Sequence, residues 1–170
     1  MLNLPSMSEF LLSRGIPPEL VVIIVAALPI FELRGAIPLA LFSLDMPWHT
    51  ALPLALLGNM LPIPLILLFL RRVMNWMGRV GLFRRFFDWL CERTMRRSEK
   101  LLRRQQVGLA AFVGVPLPFT GAWTGALAAV LFNFRFIPAF AAIGAGVVAA
   151  GVIVTVLCLL GLQAYIFISS

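Results

Sequence analysis

Two ionisable residues stand in an otherwise apolar part of the chain. Glu32 and Arg34 are flanked by uncharged runs at 21–31 and 35–44. Ionisable groups inside apolar membrane segments are costly and usually functional. Glu32 can exchange a proton, and the guanidinium of Arg34 can bind a phosphate or carboxylate. We therefore expect substrate or proton handling here. An ion pair that fixes a turn, or a position among outer headgroups, is the alternative.

A second candidate site carries no charge. Within residues 116–125, the hydroxyls of Thr120 and Thr124 and the amides at a helix start can bind an anion or ion. Gly121 and Gly125 have a small-xxx-small spacing that is equally compatible with close helix packing. The candidate binding residues are Glu32, Arg34, Gly35, Pro38, Pro118, Thr120, Gly121, Thr124 and Gly125.

Two further polar residues are candidates for lining a path. Asn59 lies inside an uncharged run and either lines a path or bonds a neighbouring helix; Arg135 marks the interfacial end of a span. The chain has one histidine and shows no nucleophile–base set, so we expect no enzyme activity and no cofactor. Cys91 and Cys158 lie in different settings, so neither a disulfide nor a metal site is expected.

The composition indicates residence in a membrane. Hydrophobic residues make up 61% of the 170 and charged residues 12%, against about a quarter charged in soluble domains. Uncharged runs cover residues 46–70, 105–134 and 136–170, and about 20 apolar residues suffice to cross the hydrocarbon core. We expect no secretory signal at the N-terminus, because no basic region precedes the first apolar run.

Positive charge is concentrated in one segment. Residues 71–104 contain eleven Lys or Arg and three acids, which by the positive-inside rule predicts a cytoplasmic loop rather than nucleic-acid binding. Residues 80–106 have helical periodicity with an aromatic face. This pattern predicts either an interfacial helix that gathers anionic lipid headgroups or a solvated linker helix held by its neighbours.

The chain also contains a weak internal repeat. At a shift of 86 residues, six of 24 positions are identical, including the pairs Gly35–Gly121 and Gly58–Gly144. In each half an apolar run breaks at prolines and continues as a short helix of small residues. Broken backbone at membrane depth needs protein or a wet cavity around it, so we predict two re-entrant hairpins. The longer spans, 47–70 and 136–167, can cross fully, and the second is long enough to tilt, to break near 144–151 or to include an extra short helix.

These elements predict an all-α integral membrane protein with two inverted repeats. Each repeat is a re-entrant helical hairpin plus a transmembrane helix, and a basic cytoplasmic amphipathic helix joins them. The predicted boundaries are 1–18 for a lead-in, 19–70 for repeat one, 71–106 for the basic segment and 107–170 for repeat two. Both termini are expected outside, as in transporters with inverted repeats. The alternative is a bundle of five or six full helices.

The segments 29–38 (PIFELRGAIP) and 116–127 (PLPFTGAWTGAL) carry a family resemblance. Together they resemble the bacterial and archaeal family called putative small multidrug export proteins, over residues 19–162. Phe119 departs from the pattern, where a small residue is expected, and makes the second tip bulkier. The family is similar to the DedA/VTT membrane proteins, which implies paired re-entrant hairpins with embedded acidic and arginine residues. Some of those proteins move polyprenyl phosphates or phospholipids.

The residues and the resemblance together predict a small secondary transporter in the inner (plasma) membrane. It is expected to be proton- or ion-coupled and to move an anionic or amphipathic substrate such as a lipid phosphate. Glu32 would couple protons, Arg34 would hold the anion, and the 120–125 tip would complete the site. A multidrug exporter and a non-transporting structural membrane protein are the alternatives. Expected partners are membrane lipids, the substrate and a second copy in a homodimer, without nucleic acid.

Overall fold

A computed structural model describes residues 4–77, 99–115, 121–132 and 134–169, and every regular element in these residues is helical. Side chains are described for residues 9–70, 72, 106–115, 121–132 and 134–161. The predicted interfacial helix therefore lies mostly outside the described residues, which show only its last part, 99–106, as helix. The inverted orientation of the repeats, the domain boundaries and the membrane topology stay predictions.

Prolines account for several helix boundaries. Pro17 and Pro18 stand at the start of the second helix, and Pro47 precedes the fourth. Proline lacks an amide hydrogen, and it is tolerated at these positions because the amides of the first helical turn have no acceptor within the helix. The helices are α1 Leu4–Ser13, α2 Pro18–Ala27, α3 Glu32–Pro38, α4 Trp48–Met60, α5 Ile63–Met77, α6 Glu99–Gly114, α7 Ala122–Leu131 and α8 Phe136–Ser169. Helix α3 continues directly into a π-helical turn, Leu39–Ser43.

Two stretches of helix are long and apolar enough to cross a membrane. They are Trp48–Leu70, with 23 residues, and Phe136–Gly161, with 26, which confirms the two predicted spans by length and composition. Helix α8 is continuous, so it does not break near 144–151. Helices α2 and α7 have 10 residues each, or about 15 Å, half the thickness of the hydrocarbon core.

Large apolar side chains face outward along the first span. Leu57, Leu65 and Phe69 are 61%, 67% and 71% exposed. A soluble protein would expose such a row only at a binding surface, whereas lipid tails solvate it at no cost. The part of the chain that the structure describes is therefore all-helical and has the apolar surface expected of a membrane protein.

The described helices form two compact units. The first unit comprises residues 1–61 and 147–170, and the second comprises residues 62–146. In the first unit α2 packs on α3 and α4, and α3 packs on α4. In the second unit α7 packs on α5 and α6. The short helices thus bury part of their apolar surface inside each unit.

Glycines bring the helices of the first unit into close contact. A Cβ added at Gly58 of α4 would lie 2.8 Å from Ala26 Cβ of α2, and closer still to the carbonyl oxygen of Ile23. Gly151 of α8 is similarly close to Leu52 and Leu56 of α4, at 2.9 and 3.1 Å. The approach at Gly58 requires the absence of a side chain, because backbone atoms lie opposite it, as in other tightly packed membrane helices. At Gly151 the neighbouring atoms are the ends of flexible leucine side chains, which can move.

The second unit has its own glycine contacts. A Cβ added at Gly146 of α8 would lie 2.6 Å from the carbonyl oxygen of Ala110 and 2.7 Å from Val113 Cβ, both on α6. One added at Gly125 of α7 would overlap Val113 Cγ2 and lie 3.7 Å from Ile143 Cγ1. Val113 is therefore enclosed by glycines of two different helices.

The contacts at Gly58 and Gly146 are equivalent. In each unit a glycine of a long span meets a carbonyl oxygen in a preceding helix and a Cβ atom three positions further along that helix. The contacted residues are offset by 87 positions and the glycines by 88. The sequence shift of 86 aligns Gly58 with Gly144, whereas the residue that makes the same kind of contact as Gly58 is Gly146. The two glycines thus share one kind of local helix contact, and the internal repeat stays a prediction.

Gly58→Ala is expected to destabilise the protein by about 1–3 kcal/mol, because the new methyl group overlaps backbone of α2 that cannot rotate away. Gly108→Ala is the matched control. Gly108 is exposed within α6 and an added Cβ meets nothing within 4 Å, so this variant should gain about 0.5–1 kcal/mol from helix propensity. Unfolding in detergent measures both. A Gly58→Ala variant as stable as the parent would contradict the close approach.

Candidate functional site

Glu32 lies where the first pair of short helices is broken. Residues 28–31 separate α2 from α3, and Glu32 is the first residue of α3. Its amide donates to the carbonyl oxygen of Leu28 at 3.0 Å, and the amide of Gly35 donates to that of Phe31 at 2.9 Å. Glu32 is only 9% exposed. The break thus holds a carboxyl-bearing side chain inside the first unit.

The backbone of Glu32 is left-handed, with φ of 47°. This conformation costs a side-chain-bearing residue about 1–2 kcal/mol, and such strain tends to collect at functional sites. Asp45 also has a positive φ, 49°, but it is exposed in the loop before α4. Glycine would remove the strain at position 32, so the conformation favours a role for the carboxyl group itself.

Replacing Glu32 by glycine and by alanine separates the strain from the side chain. Both variants lose the carboxyl group, but only glycine adopts the left-handed backbone freely. Glu32→Gly is therefore expected to be more stable than Glu32→Ala by about 1 kcal/mol, measured by unfolding in detergent. The same pair at Glu19, an exposed residue in the first turn of α2, should give the opposite order, because glycine weakens an ordinary helix. If the Glu32→Ala protein were more stable than the Glu32→Gly protein, the backbone at position 32 would not be strained.

Arg34 lies two residues further along α3 and is half-buried. Residues two apart do not face each other on a helix, yet Glu32 and Arg34 each have an interaction partner in the structure. Gly35 is also half-buried. The charged residues therefore lie on the one short helix that follows the break.

Pro38 disturbs the end of the same helix. It has no amide hydrogen and cannot donate to the carbonyl oxygen of Arg34, four residues earlier. The chain then turns as a π-helix, in which the amide of Leu44 donates to the carbonyl oxygen of Leu39 at 3.1 Å. Single π-helical turns occur frequently at functional sites. Helix α3 is thus irregular at both ends.

The candidates of the second unit are partly described. Gly121 is the buried N-cap of α7, and the hydroxyl of Thr124 donates to its carbonyl oxygen at 3.2 Å. Gly125 is buried and packs against Val113. The Thr124 donor is therefore used within its own helix turn, and Gly125 makes a helix contact. Pro118 and Thr120 lie outside the described residues.

The remaining candidates lie in different settings. Arg135 is exposed just before α8, and its carbonyl oxygen accepts a hydrogen bond from the amide of Ala139 at 3.0 Å.

Asn59 is 1% exposed and belongs to the buried side of α4, together with Ala51 and Ala55. Among the described residues, no group donates a hydrogen bond to its side-chain oxygen. This acceptor is therefore enclosed by protein without a donor.

Sequence reasoning missed Thr155, another buried polar residue. It is 4% exposed on α8, and its hydroxyl donates to the carbonyl oxygen of Gly151 at 2.8 Å. A threonine within an apolar helix commonly donates its hydroxyl to the carbonyl oxygen four residues earlier, so its residue type and its position in a span were the available signal.

Among the described residues, no group of three or more His, Cys, Asp or Glu side chains is placed to hold a metal ion.

In the described residues, broken short helices and two long apolar spans are typical of a helical membrane protein, and Glu32 is buried in its first unit. Residues 32–153 match the family described as "Putative small multi-drug export protein", and the chain belongs to this family. The predicted resemblance is thereby confirmed for the family, while the relation to DedA/VTT proteins stays a prediction. Neither the search of curated proteins nor that of solved structures gave a match.

Proposed function

We propose that the protein is a small secondary transporter, coupled to protons or another ion, that moves an anionic or amphipathic substrate. One observation carries the proposal: Glu32 is buried at a helix break in a left-handed backbone conformation. A group that is both costly to bury and strained is retained where its chemistry is needed. Exchange of a proton or cation at this carboxyl group would couple transport to an ion gradient.

Arg34 suggests the sign of the substrate charge. A guanidinium presents a planar set of donors that matches phosphate and carboxylate. Its position on the short helix next to Glu32, inside a membrane protein, suits an amphipathic molecule whose anionic head enters while its apolar part stays among lipid tails. A lipid phosphate is the substrate class that fits both requirements.

The equivalent glycine contacts at Gly58 and Gly146 support a two-repeat architecture for this transporter. In our proposal each repeat is a re-entrant hairpin packed on a spanning helix, with the repeats inverted across the membrane. The basic segment at 71–106 lies in the cytoplasm against anionic lipids, both termini lie outside, and two copies form a homodimer. Transporters of this architecture bind substrate where broken helices meet.

Multidrug export is the second candidate, and the description of the family favours it. Exporters of cationic amphipathic drugs need an acidic centre, which Glu32 provides. Arg34 on the same short helix opposes a cationic substrate by like-charge repulsion. The two candidates therefore differ in the charge of the substrate they predict.

Reconstitution into liposomes tests the proposal. Purified protein should move a fluorescent lipid phosphate between leaflets faster with a pH or sodium gradient than without one, and protein-free liposomes give the background. A fluorescent cationic amphiphile of similar size is the matched probe for drug export. Movement of the cation alone would support the exporter, and movement of neither probe would identify a non-transporting structural protein.

A further inference from the structure

We propose that Asn59 and Glu32 form a binding site for a dehydrated alkali cation at the C-terminal end of α2. This inference rests on the proposed function, because it assigns the coupling ion of that transporter and the residues that bind it. It starts from the side-chain oxygen of Asn59, which is buried and has no donor among the described residues.

An enclosed acceptor without a donor is unusual. Buried polar groups in native proteins are almost always hydrogen-bonded, and each exception calls for an explanation. Burial without a hydrogen bond is unfavourable for an amide oxygen, but such an oxygen is a good ligand for a hard cation. A cation at Asn59 would supply the missing positive partner, which no described side chain provides.

Packing places Asn59 and Glu32 near the C-terminal half of α2. Gly58, which precedes Asn59, lies against Ile23 and Ala26 in that half. Glu32 follows the break after α2, and its amide donates to the carbonyl oxygen of Leu28, the C-cap of that helix. Two residues with buried oxygen-bearing side chains, one on α3 and one on α4, thus lie beside the same half of one helix within the first unit.

The electrostatics of this helix end favour a cation. The C-terminus of a helix carries a partial negative charge from its aligned carbonyl groups. An ionised Glu32 adds a full negative charge, and the Asn59 oxygen adds the negative end of an amide dipole. Half-helix C-termini and side-chain oxygens are the groups that bind coupling ions in transporters with broken helices. Glu32 and Arg34 each have an interaction partner in the structure, so a cation would be bound in addition to the existing partner of Glu32. Arg34 weakens the site by like-charge repulsion, and the buried oxygen of Asn59 is the ligand that the described residues leave without a donor.

Salt-dependent thermal unfolding tests the site directly. The protein in detergent is heated in NaCl, KCl and choline chloride at equal ionic strength. Bound cation stabilises the folded state in proportion to the logarithm of its concentration above Kd. We expect Tm to rise with concentration in NaCl or KCl but not in choline chloride, because choline is too large for an enclosed oxygen. Equal Tm values in all three salts would overturn the proposal.

Variants assign the ligands. Asn59→Leu keeps the size but removes the oxygen, and Glu32→Gln removes the negative charge. Both should weaken the apparent cation affinity about tenfold or more, in whichever salt stabilises the parent. Thr155→Val is the matched control, because it removes a different buried oxygen of the same unit and should keep the full response. A full response in Asn59→Leu would overturn the assignment.

A further variant guards against misfolding of Asn59→Leu. Asn59→Asp keeps an oxygen ligand and adds charge, so it should bind the cation more tightly than the parent at neutral pH. A weaker response in a folded Asn59→Asp protein would also count against the site. The inference and the proposed function fail separately. Transport that depends on Glu32 without any cation response defeats only the cation site, whereas a cation response without transport of any probe defeats only the transporter.

Discussion

Replacing Glu32 by glutamine is expected to reduce ion-coupled movement of the lipid phosphate in liposomes by about 100-fold, the usual scale for losing a proton-transfer group. Glutamine keeps the length and shape of the side chain, and it imposes the same left-handed backbone strain. It removes only the negative charge and the exchangeable proton. Protein stability should therefore change much less than transport.

The control for Glu32→Gln is Glu19→Gln. Glu19 is exposed in the first turn of α2, so the same chemical change there should leave transport within a factor of about two. Initial rates with and without an ion gradient provide the measurement. If Glu32→Gln and the parent respond equally to the gradient, Glu32 has no coupling role and the buried carboxyl group is structural.

The second large effect concerns the packing of Gly125 on Val113. Gly125→Ala should destabilise the protein by about 1–3 kcal/mol, because its methyl group overlaps Val113 Cγ2. Val113 is 1% exposed, so Val113→Ala should by itself cost about 2 kcal/mol through lost burial. The double variant should cost about 1–2 kcal/mol less than the sum of the two, since removing the Val113 methyl groups makes room for the new one.

Gly146 provides the matched control with the same partner. A Cβ at Gly146 meets the Ala110 carbonyl oxygen, the Cβ of Val113 and, at 3.0 Å, the Cγ1 of Val113. The first two atoms, which are the closer ones, remain in Val113→Ala. The coupling between Gly146→Ala and Val113→Ala should therefore be smaller than the coupling at Gly125. Unfolding in detergent yields both double-mutant cycles. Equal coupling at Gly125 and Gly146 would show that the described contacts do not determine the energetics.

The helices that could be predicted from sequence are those with strong boundaries. Prolines and long uncharged runs marked the short α2 and α7 and the two spans, because a missing amide hydrogen and a lack of charge act locally. Helix α8 is continuous, which excludes the break near 144–151 that was one of three alternatives for this long span; its glycines at 146 and 151 lie in helix contacts instead. The correspondence between Gly58 and Gly146 was also missed. The glycines are offset by 88 positions and the residues they contact by 87, and a comparison at one fixed shift cannot match both.

The candidate site was predictable only in its residue types. Glu32 and Arg34 were identified because charge in an apolar run is conspicuous at any depth. The left-handed backbone of Glu32 was not foreseeable, since that conformation ordinarily selects glycine or asparagine. Asn59 was recognised as a polar residue in a span, but its unpaired oxygen depends on which neighbouring side chains surround it. These neighbouring side chains come from other helices, so the sequence around Asn59 does not predict whether its oxygen finds a donor.

The contact of Gly58 with Ile23 has a consequence for biosynthesis. The ribosome makes α2 and α3 before it makes α4, so the first two helices reach the membrane without the surface that covers them. At about 15 Å, α2 cannot cross alone, and its companion α3 carries Glu32. We therefore expect α2 and α3 to be stably packed only after Gly58 has been synthesised and α4 can cover α2.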